Sequence, residues 1–249
     1  MDNKEYILVT GASSGMGREI AIKLSEYNNI ILNGRDLERL EETKNHCSSS
    51  HTHLIWQYDL FNVEDVEQSL IEFLKVNDIK VNKFVHCAGF MSTYPLKMVN
   101  LSLIQKTFNV NVFSALLITK VLSNKKVNEK SLSAVVLISS NISNFGAKAF
   151  SAYGASKGAL DSMMRSLAVE LAPNVRVNSV LPGGVRTTMT EHMYQDEELI
   201  SRMASSYPLG LGDVTDIYEV VNFLLSEKAK WITGQQITVD GGRTINISG

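Results

Sequence analysis

The sequence is poor in the residues that stabilise small secreted or metal-dependent proteins. Its 249 residues include two cysteines, Cys47 and Cys87, whose spacing matches no metal-ligand pattern. Two thiols cannot build the disulfide framework of a small extracellular domain, so we expect reduced thiols in a cytoplasmic protein. Among the five histidines, His51 and His53 form an isolated pair without supporting ligands. We therefore expect no metal site.

An excess of charge of one sign is also absent. Lysine and arginine together number 24 and aspartate and glutamate 26, which gives a net charge of −2 at pH 7. Both signs are scattered along the chain, so there is no electrostatic basis for binding nucleic acid or an anionic membrane. The sequence shows neither a secretory pattern at Met1 nor an apolar run of membrane-spanning length. We expect a cytoplasmic protein without nucleic-acid or membrane partners.

What the chain does contain is an alternation of short apolar runs with helical patterns, without repeats or linkers. Seven runs predict strands, at 6–9, 30–33, 53–58, 83–87, 134–138, 175–180 and 236–239. Helices are predicted after the first run and at 37–44, 62–76, 100–122, 151–172 and 214–226. This order predicts one α/β domain over residues 1–249, a single doubly wound parallel sheet (Rossmann fold) with helices on both faces. The polar, methionine-bearing segment 185–206 is predicted to be a mobile lid.

A glycine-rich turn follows the first predicted strand, from Thr10 to Gly17. Gly11 permits a tight turn, and Gly15 and Gly17 allow a pyrophosphate and the next helix to approach closely. The free N–H groups at the start of that helix favour an anion. The spacing is not the Gly-x-Gly-x-x-Gly of the general dinucleotide pattern, and a glycine-rich turn that binds nothing is the alternative.

The end of the second predicted strand indicates which dinucleotide binds. Gly34 stands where an acidic residue would bind the ribose hydroxyls of NAD, and Arg35 follows it. A guanidinium binds phosphate through two hydrogen bonds, so this pair favours NADP over NAD, unless Arg35 is only a solvated surface charge. Asp36 is predicted to cap the next helix.

Two further strand ends provide candidate cofactor contacts. Asp59 ends the third strand and could accept a hydrogen bond from an adenine amino group or simply begin the loop. Ala88 and Gly89 follow the fourth strand, where small residues leave room for a flat cofactor against the backbone.

Tyr153 and Lys157 are the candidate proton-transfer pair, because four-residue spacing places both on one face of a helix. An ammonium about 4 Å from a phenol, whose ordinary pKa is about 10, would lower that pKa towards 7. A tyrosine with such a pKa can exchange a proton with a carbonyl or alcohol oxygen. Ser140 follows a buried strand and could hydrogen-bond the same oxygen. Tyr-x-x-x-Lys alone arises by chance at roughly even odds, so the interpretation depends on the serine and the glycine turn.

Together these features resemble the short-chain dehydrogenase/reductase family along the whole chain. The resemblance rests on the 10–17 turn, Asn111, Ser140, Tyr153 with Lys157, and Pro182-Gly183 with Thr187. It implies that Tyr153 is the general acid/base and that Ser140 orients the substrate oxygen. It further implies that Lys157 lowers the tyrosine pKa and holds the nicotinamide ribose, and that Asn111 fixes a water that relays protons from Lys157. The cofactor contacts that it adds are Ser13, Ser14, Met16, Leu60, Pro182, Gly183, Val185 and Thr187.

The subgroup of closest resemblance is that of the 3-oxoacyl-carrier-protein reductases, in which the final helix and the segment equivalent to 234–242 usually build tetramer contacts. Two departures stand out. His86-Cys87-Ala88-Gly89 replaces the frequent Asn-Asn-Ala-Gly, which could alter support of the central sheet. No basic cluster marks an entrance, which leaves the acyl-carrier substrate open.

Two classes of function follow. The first is an NADP-dependent oxidoreductase that interconverts a ketone and a secondary alcohol, with a 3-oxoacyl thioester as one candidate substrate. The alternative is a non-catalytic regulatory protein that binds a dinucleotide, although such proteins lose part of the Ser-Tyr-Lys set, which is complete here. A methyltransferase would explain the glycine turn but not that set.

The sequence also predicts assembly into a homotetramer. The run 236–239 would be an exposed sheet edge in a monomer. The helices 100–122 and 151–172 carry apolar residues on more than one face, for example Phe113 and Leu117 beside Phe108 and Val112. Scattered apolar exposure on a monomer is the alternative.

Overall fold

A seven-stranded parallel sheet forms the centre of the structure, a computed structural model that describes residues 5–91, 93–186 and 197–246. The strands are β1 (Glu5–Thr10), β2 (Asn29–Gly34), β3 (His53–Gln57), β4 (Lys80–His86), β5 (Ala134–Ile138), β6 (Arg176–Pro182) and β7 (Gln236–Val239). Their order across the sheet is β3-β2-β1-β4-β5-β6-β7. The predicted doubly wound parallel sheet is therefore confirmed.

Helices connect the strands on both faces. They are α1 (Gly15–Leu24), α2 (Leu37–Asn45), α3 (Val66–Asn77), α4 (Leu101–Phe108), α5 (Ser114–Ser123), α6 (Lys125–Asn128), α7 (Ser151–Glu170), α8 (Glu197–Ser205) and α9 (Val214–Leu225). A π-helical turn, Asn109–Phe113, joins α4 to α5.

The sheet is covered by a separate apolar core on each face. Leu8 and Phe84 belong to the core under α3, α5 and α7. Ile7, Val9 and Val85 belong to the core under α1 and α9. Because neighbouring residues of one strand enter opposite cores, both faces must be apolar, which explains the uninterrupted apolar runs in the sequence.

The ends of several elements differ from the predicted ones. The third helix was predicted to begin at Asn62 but begins at Val66, because Asp59 Oδ1 accepts a hydrogen bond from Phe61 N at 3.0 Å and Asn62 N donates to Asp59 O. β6 continues through Pro182, which pairs with Val239 of β7. The proline is tolerated because its pairing with β5 has already ended at Val180, so no ladder donor is lost.

The helical segment Leu101–Ser123 is long and apolar enough to cross a membrane by length and composition alone. The sequence analysis identified no such run. Ala115, Ile118 and Leu122 of this segment are fully buried in the core beside the sheet. A core helix satisfies the same criterion, so we assign it to the core.

The strand order reverses direction between β1 and β4, with β2 and β3 on one side and β5 to β7 on the other. In open parallel sheets, ligands bind in the crevice at the carboxyl ends of the strands at this switch point. The turns that follow β1, β4 and β5 are therefore the expected location of the site.

Candidate active site

The turn after β1 forms one wall of a cleft. Gly11 has a φ of +69°, and a Cβ added there would lie 2.8 Å from the Cα of Ala88. A Cβ on Gly17 would lie 2.3 Å from the carbonyl oxygen of Gly11. The turn is thus packed against the β4 end and against its own helix so closely that only glycine fits at these two positions.

The N-terminus of α1 faces this cleft with free donors. Its N-cap, Ser14, is extended and makes no side-chain capping bond. Gly15, Met16 and Gly17, the first residues of α1, line the cleft. First-turn N–H groups have no partner within a helix and favour an anion such as a pyrophosphate. The described residues of the cleft therefore fit a dinucleotide.

Most of the predicted cofactor residues line this one cleft, which has a volume of about 260 Å³. They are Gly11, Ser13, Ser14, Gly15, Met16, Gly17, Arg35, Asp59, Leu60, Ala88 and Gly89. Seven further lining residues were not predicted: Asn33, Gly34, Tyr58, Phe61, Cys87, Phe90 and Val110. Most of these lie directly beside a predicted residue at a strand end, and that adjacency was the available signal.

The mouth of the cleft carries Arg35. Its guanidinium carbon lies 5.8 Å from the centre of the Phe61 ring, which holds the exposed side chain along the wall. Asp36 is the predicted N-cap of α2, accepting from Arg39 N at 3.1 Å. A Cβ on Gly34 would lie 3.2 Å from Ser13 Oγ, so an acidic side chain would be crowded there.

The proposed catalytic residues come from three elements around the carboxyl end of β5. Ser140 follows this strand, caps a 3₁₀ turn and accepts from Ile142 N at 3.3 Å. Tyr153 and Lys157 lie on α7, and Asn111 lies in the π-helical turn. A Cβ on Gly89 would lie 3.8 Å from both Lys157 Nζ and Asn111 Oδ1, so this glycine keeps the space between them open.

Lys157 is buried at the inner end of the site. Its Nζ donates to the carbonyl oxygen of Ile138 at 2.8 Å. Burial lowers the pKa of Lys157 to about 8, while the charge of Asp161 acts in the opposite direction. The ammonium form therefore still predominates at neutral pH.

The expected lowering of the Tyr153 pKa is not seen in this structure. Burial raises the pKa of Tyr153 to about 12, and a hydrogen bond with Ser140 offsets only part of that rise. Lys157 Nζ lies 5.7 Å from the centre of the tyrosine ring and is directed to a backbone carbonyl. Desolvation of the phenolate therefore has a larger effect on the pKa than the ammonium does, and Tyr153 is a neutral phenol at pH 7.

Asn111 is fully buried and held by protein partners. Its Oδ1 accepts from Phe90 N at 2.7 Å, and its Nδ2 donates to Phe90 O at 3.2 Å and to Ser156 Oγ at 2.9 Å. The side chain thereby ties the π-helical turn to the β4 loop and to α7. Its implied part in a water relay stays a prediction.

His86 explains how the chain tolerates the departure from Asn-Asn-Ala-Gly. The imidazole Nε2 donates to Val110 O at 3.1 Å, so Nδ1 is the acceptor for Thr10 Oγ1 at 2.9 Å. Thr10 Oγ1 in turn accepts from Ala88 N at 3.2 Å. Burial, and secondarily the charge of Lys157, lowers the pKa of His86 to about 3. A neutral histidine therefore joins β1 and β4 to the π-helical turn that carries Asn111.

The remaining predicted cofactor residues follow β6. Gly183 N donates to Val239 O at 3.0 Å, and Val185 forms an isolated bridge with Gly212. Neither these two nor Pro182 lines the cleft described above, and Thr187 lies outside the described residues. Tyr207 accepts a hydrogen bond from Gly184 N at 2.9 Å and so supports this segment.

Part of the predicted lid, residues 187–196, also lies outside the described residues. The remainder contains α8, a helix that the polar composition of 185–206 did not predict. Among the described residues, no group of three or more histidine, cysteine, aspartate or glutamate side chains could hold a metal ion.

A family model described as enoyl-(acyl carrier protein) reductase matches residues 11–244. The chain belongs to the short-chain dehydrogenase/reductase family. L-xylulose reductase from Caenorhabditis elegans is 32% identical over 96% of both chains. A 3-oxoacyl-[acyl-carrier-protein] reductase from Buchnera aphidicola is 29% identical and covers 96% of this chain and 97% of its own. The resemblance to the family is thus confirmed, with the 3-oxoacyl reductases as one of several similar subgroups.

Solved structures of the same family superimpose closely. A 4-hydroxyisoleucine dehydrogenase complexed with NADH has a TM-score of 0.90 at 26% identity, covering 97% of this chain and 99% of its own. A putative short-chain alcohol dehydrogenase from Sinorhizobium meliloti has a TM-score of 0.89 at 31% identity, covering 99% and 98%. This protein is accordingly an NAD(P)-dependent enzyme acting on CH–OH and C=O groups. The non-catalytic alternative is not supported, because the chain's relatives are reductases and dehydrogenases.

Proposed function

We propose that this short-chain dehydrogenase/reductase uses NADP to interconvert a ketone and a secondary alcohol. The observation that carries the proposal is the convergence of Ser140, Tyr153 and Lys157 at the end of β5, beside a cleft built for a dinucleotide. A bound nicotinamide would supply or accept the hydride at this point.

The protein side chains supply the proton and position the reacting groups. Tyr153, a neutral phenol, donates its proton to the carbonyl oxygen as the alcohol forms, and Ser140 hydrogen-bonds the same oxygen and orients it. Lys157 places a positive charge behind the tyrosine and stabilises the phenolate left after proton transfer. Asn111 holds the β4 loop and α7 in register with these groups.

The rates of reduction and of oxidation should depend on pH through the protonation state of Tyr153. Reduction requires the phenol form of Tyr153, which persists up to the folded-state pKa of about 12. Alcohol oxidation requires the phenolate, whose fraction grows as pH rises towards that value. We therefore expect the oxidation rate to increase through the alkaline range.

The preference for NADP rests on Arg35. Its guanidinium stacks over Phe61 at the cleft mouth, and Asp36 is committed to capping α2. No acidic side chain replaces Gly34 beside Ser13, where it could bind the two ribose hydroxyls of NAD. A 2′-phosphate would satisfy the exposed guanidinium through charge-assisted hydrogen bonds.

Arg35→Ala tests this preference. Loss of a charge-assisted hydrogen bond costs about 2 kcal/mol, so NADPH should bind about thirtyfold more weakly, while NADH binding changes little. Arg39→Ala is the matched control, because Arg39 is also exposed but pairs with Asp36 on α2. Fluorescence titration with both cofactors gives the affinities. An equal loss for NADPH and NADH would show that Arg35 does not recognise the 2′-phosphate.

The substrate approaches, on this proposal, along a second cleft beside Ser140. Its wall includes Leu96, Ile142, Phe145 and Phe150 and ends at Gly154, next to Tyr153. These side chains favour a ketone with an apolar portion. The relatives named above make L-xylulose and a 3-oxoacyl thioester the first compounds to compare.

The decisive experiment measures NADPH oxidation with a panel of ketones that includes both compounds, for the wild-type protein and for Tyr153→Phe. Removing the proton donor should lower kcat by about 10²–10⁴-fold while NADPH affinity is retained. Near wild-type turnover by the variant on the best ketone would remove Tyr153 from the acid role. NADPH binding without turnover of any ketone would contradict the proposed activity.

We also propose a cytoplasmic homotetramer with a lid near residues 185–206. Trp231 is 96% and Val169 81% exposed, and this region lies against α7, since a Cβ added to Gly234 would lie 3.6 Å from the Cβ of Ala168. Phe113 is 43% exposed on the other candidate face, whereas Leu117 packs on the core instead. The edge strand β7 and these side chains would be covered by partner subunits.

A further inference from the structure

Three acidic or basic side chains are buried among the described residues apart from the histidines: Lys157, Asp161 and Asp240. The carboxylate of Asp240 accepts hydrogen bonds from Gly242 N, Thr244 N and the Thr244 hydroxyl. Its charge is therefore stabilised locally. Asp161 has no comparable set of donors.

Asp161 is 2% exposed, and its Oδ2 accepts one hydrogen bond, from Ser139 Oγ at 3.0 Å. Its Oδ1 is buried and has no hydrogen-bond partner among the residues that the structure describes. Burying a carboxylate with one hydrogen bond is costly unless an opposite charge lies nearby. One hydrogen bond offsets only a small part of the free energy that it costs to bury this charge, so a nearby opposite charge is expected.

Lys157 is the one lysine or arginine that is buried in the part of the chain that the structure describes. It lies one helical turn before Asp161 on α7, and it is 3% exposed. The two side chains bind consecutive residues of the same strand end, since Lys157 Nζ donates to Ile138 O at 2.8 Å and Asp161 accepts from Ser139 Oγ. Two opposite buried charges therefore converge directly before Ser140.

We propose that Asp161 is a positioning residue whose buried carboxylate balances the ammonium of Lys157 and keeps that lysine charged in the working enzyme. The inference rests on the role proposed for Lys157. The other titratable groups facing Lys157 cannot replace Asp161. His86 and Tyr153 are neutral at pH 7, and burial raises the pKa of the Cys87 thiol to about 12.

The charge of Lys157 can be followed without any substrate, through the pH dependence of stability. The pKa of Lys157 is about 8 in the folded protein against an ordinary value of 10.5. The unfolded chain therefore binds more protons than the folded one across this window, and the free energy of unfolding rises with pH between about 8 and 10.5. Removing the balancing charge should lower the folded-state pKa further, so the rise should begin about one pH unit earlier.

The experiment is urea unfolding of the full chain from pH 6.5 to 10 for wild type, Asp161→Asn, Lys157→Met and the double variant. We expect that Asp161→Asn moves the pH at which the free energy of unfolding begins to rise from near 8 to near 7. In the Lys157→Met background, the same substitution should leave the pH dependence unchanged. Ser139→Ala, which removes the hydrogen bond but not the charge, should give an offset that is constant with pH.

Two results would overturn the proposal: a difference between wild type and Asp161→Asn that does not vary with pH, or the same pH-dependent difference when Lys157 is absent. If Asp161→Asn does not fold, Asp161→Ser decides, because it also removes the charge and must move the onset of the rise to near pH 7. Because these measurements involve no turnover, they remain decisive even if the ketone panel fails.

Discussion

Replacement of His86 by leucine gives the sharpest test of how the site is supported. The substitution removes two hydrogen bonds, to Thr10 at 2.9 Å and to Val110 at 3.1 Å. Val110 O keeps a partner in Ser114 Oγ at 2.7 Å, and Thr10 Oγ1 still accepts from Ala88 N. Val110 O is therefore not orphaned, but the buried Thr10 hydroxyl loses the acceptor of its proton, and an unsatisfied buried donor costs about 1–3 kcal/mol at pH 7.5.

The effect of His86→Leu on the free energy of unfolding should change sign as pH falls. The folded-state pKa of His86 is about 3 against an ordinary 6.5, so the wild-type protein loses stability as pH drops below 6.5. The loss approaches about 1.4 kcal/mol per pH unit, which amounts to about 2 kcal/mol at pH 5. A leucine escapes this penalty, so the two proteins should be about equally stable near pH 5 and the variant more stable below it.

Urea unfolding at pH 7.5, 6, 5 and 4.5 measures this crossover. His86→Asn, the residue frequent in the family, is the graded control, because it can reach one of the two partners and should lose about half as much at pH 7.5. A destabilisation of His86→Leu that is as large at pH 5 as at pH 7.5 would refute the assignment of a neutral, buried imidazole.

Three further outcomes are expected. Sedimentation at micromolar concentration should show a tetramer; a single species near 27.6 kDa would defeat this prediction, and a stable dimer would retain only one of the two interfaces. Hydrogen exchange in 185–206 should slow on adding NADPH with a ketone substrate, and unchanged protection would count against a lid. The alcohol oxidation rate should rise from pH 7 to 9.5 because burial raises the pKa of Tyr153, whereas a plateau near pH 7 would indicate that the working pKa is much lower.

Local sequence patterns predicted the elements of the fold because the parallel sheet is covered on both faces. Each strand therefore had to be a short, uninterrupted apolar run, and each helix had to show an apolar stripe. The limits of prediction lay where side chains compete with the backbone. Asp59 accepts a hydrogen bond from Phe61 N, and α3 therefore begins later than predicted. Nothing in the sequence indicated that residues 109–113 would form a π-helical turn.

Most residues that line the cleft of the candidate site were predicted from the sequence, but the electrostatics of the site were not. Gly11, Gly17, Tyr153 and Lys157 were identified from spacing alone, since turn geometry and helical periodicity are local properties. The pKa of Tyr153 was predicted in the wrong direction, because spacing indicates that an ammonium is near but not how deeply the phenol is buried or where the ammonium points.

The sequence by itself thus determined the order of strands and helices, the glycine turn and the candidate catalytic pair, all of which depend on residues close together in the chain. Only the tertiary structure could bring Lys157 to Ile138, the last residue of β5, and Asp161 to the next residue, Ser139. It alone could also make His86 a link between β1, β4 and the turn that carries Asn111. These relations depend on burial and on contacts between residues distant in sequence. Both arise only when the strands assemble and exclude water.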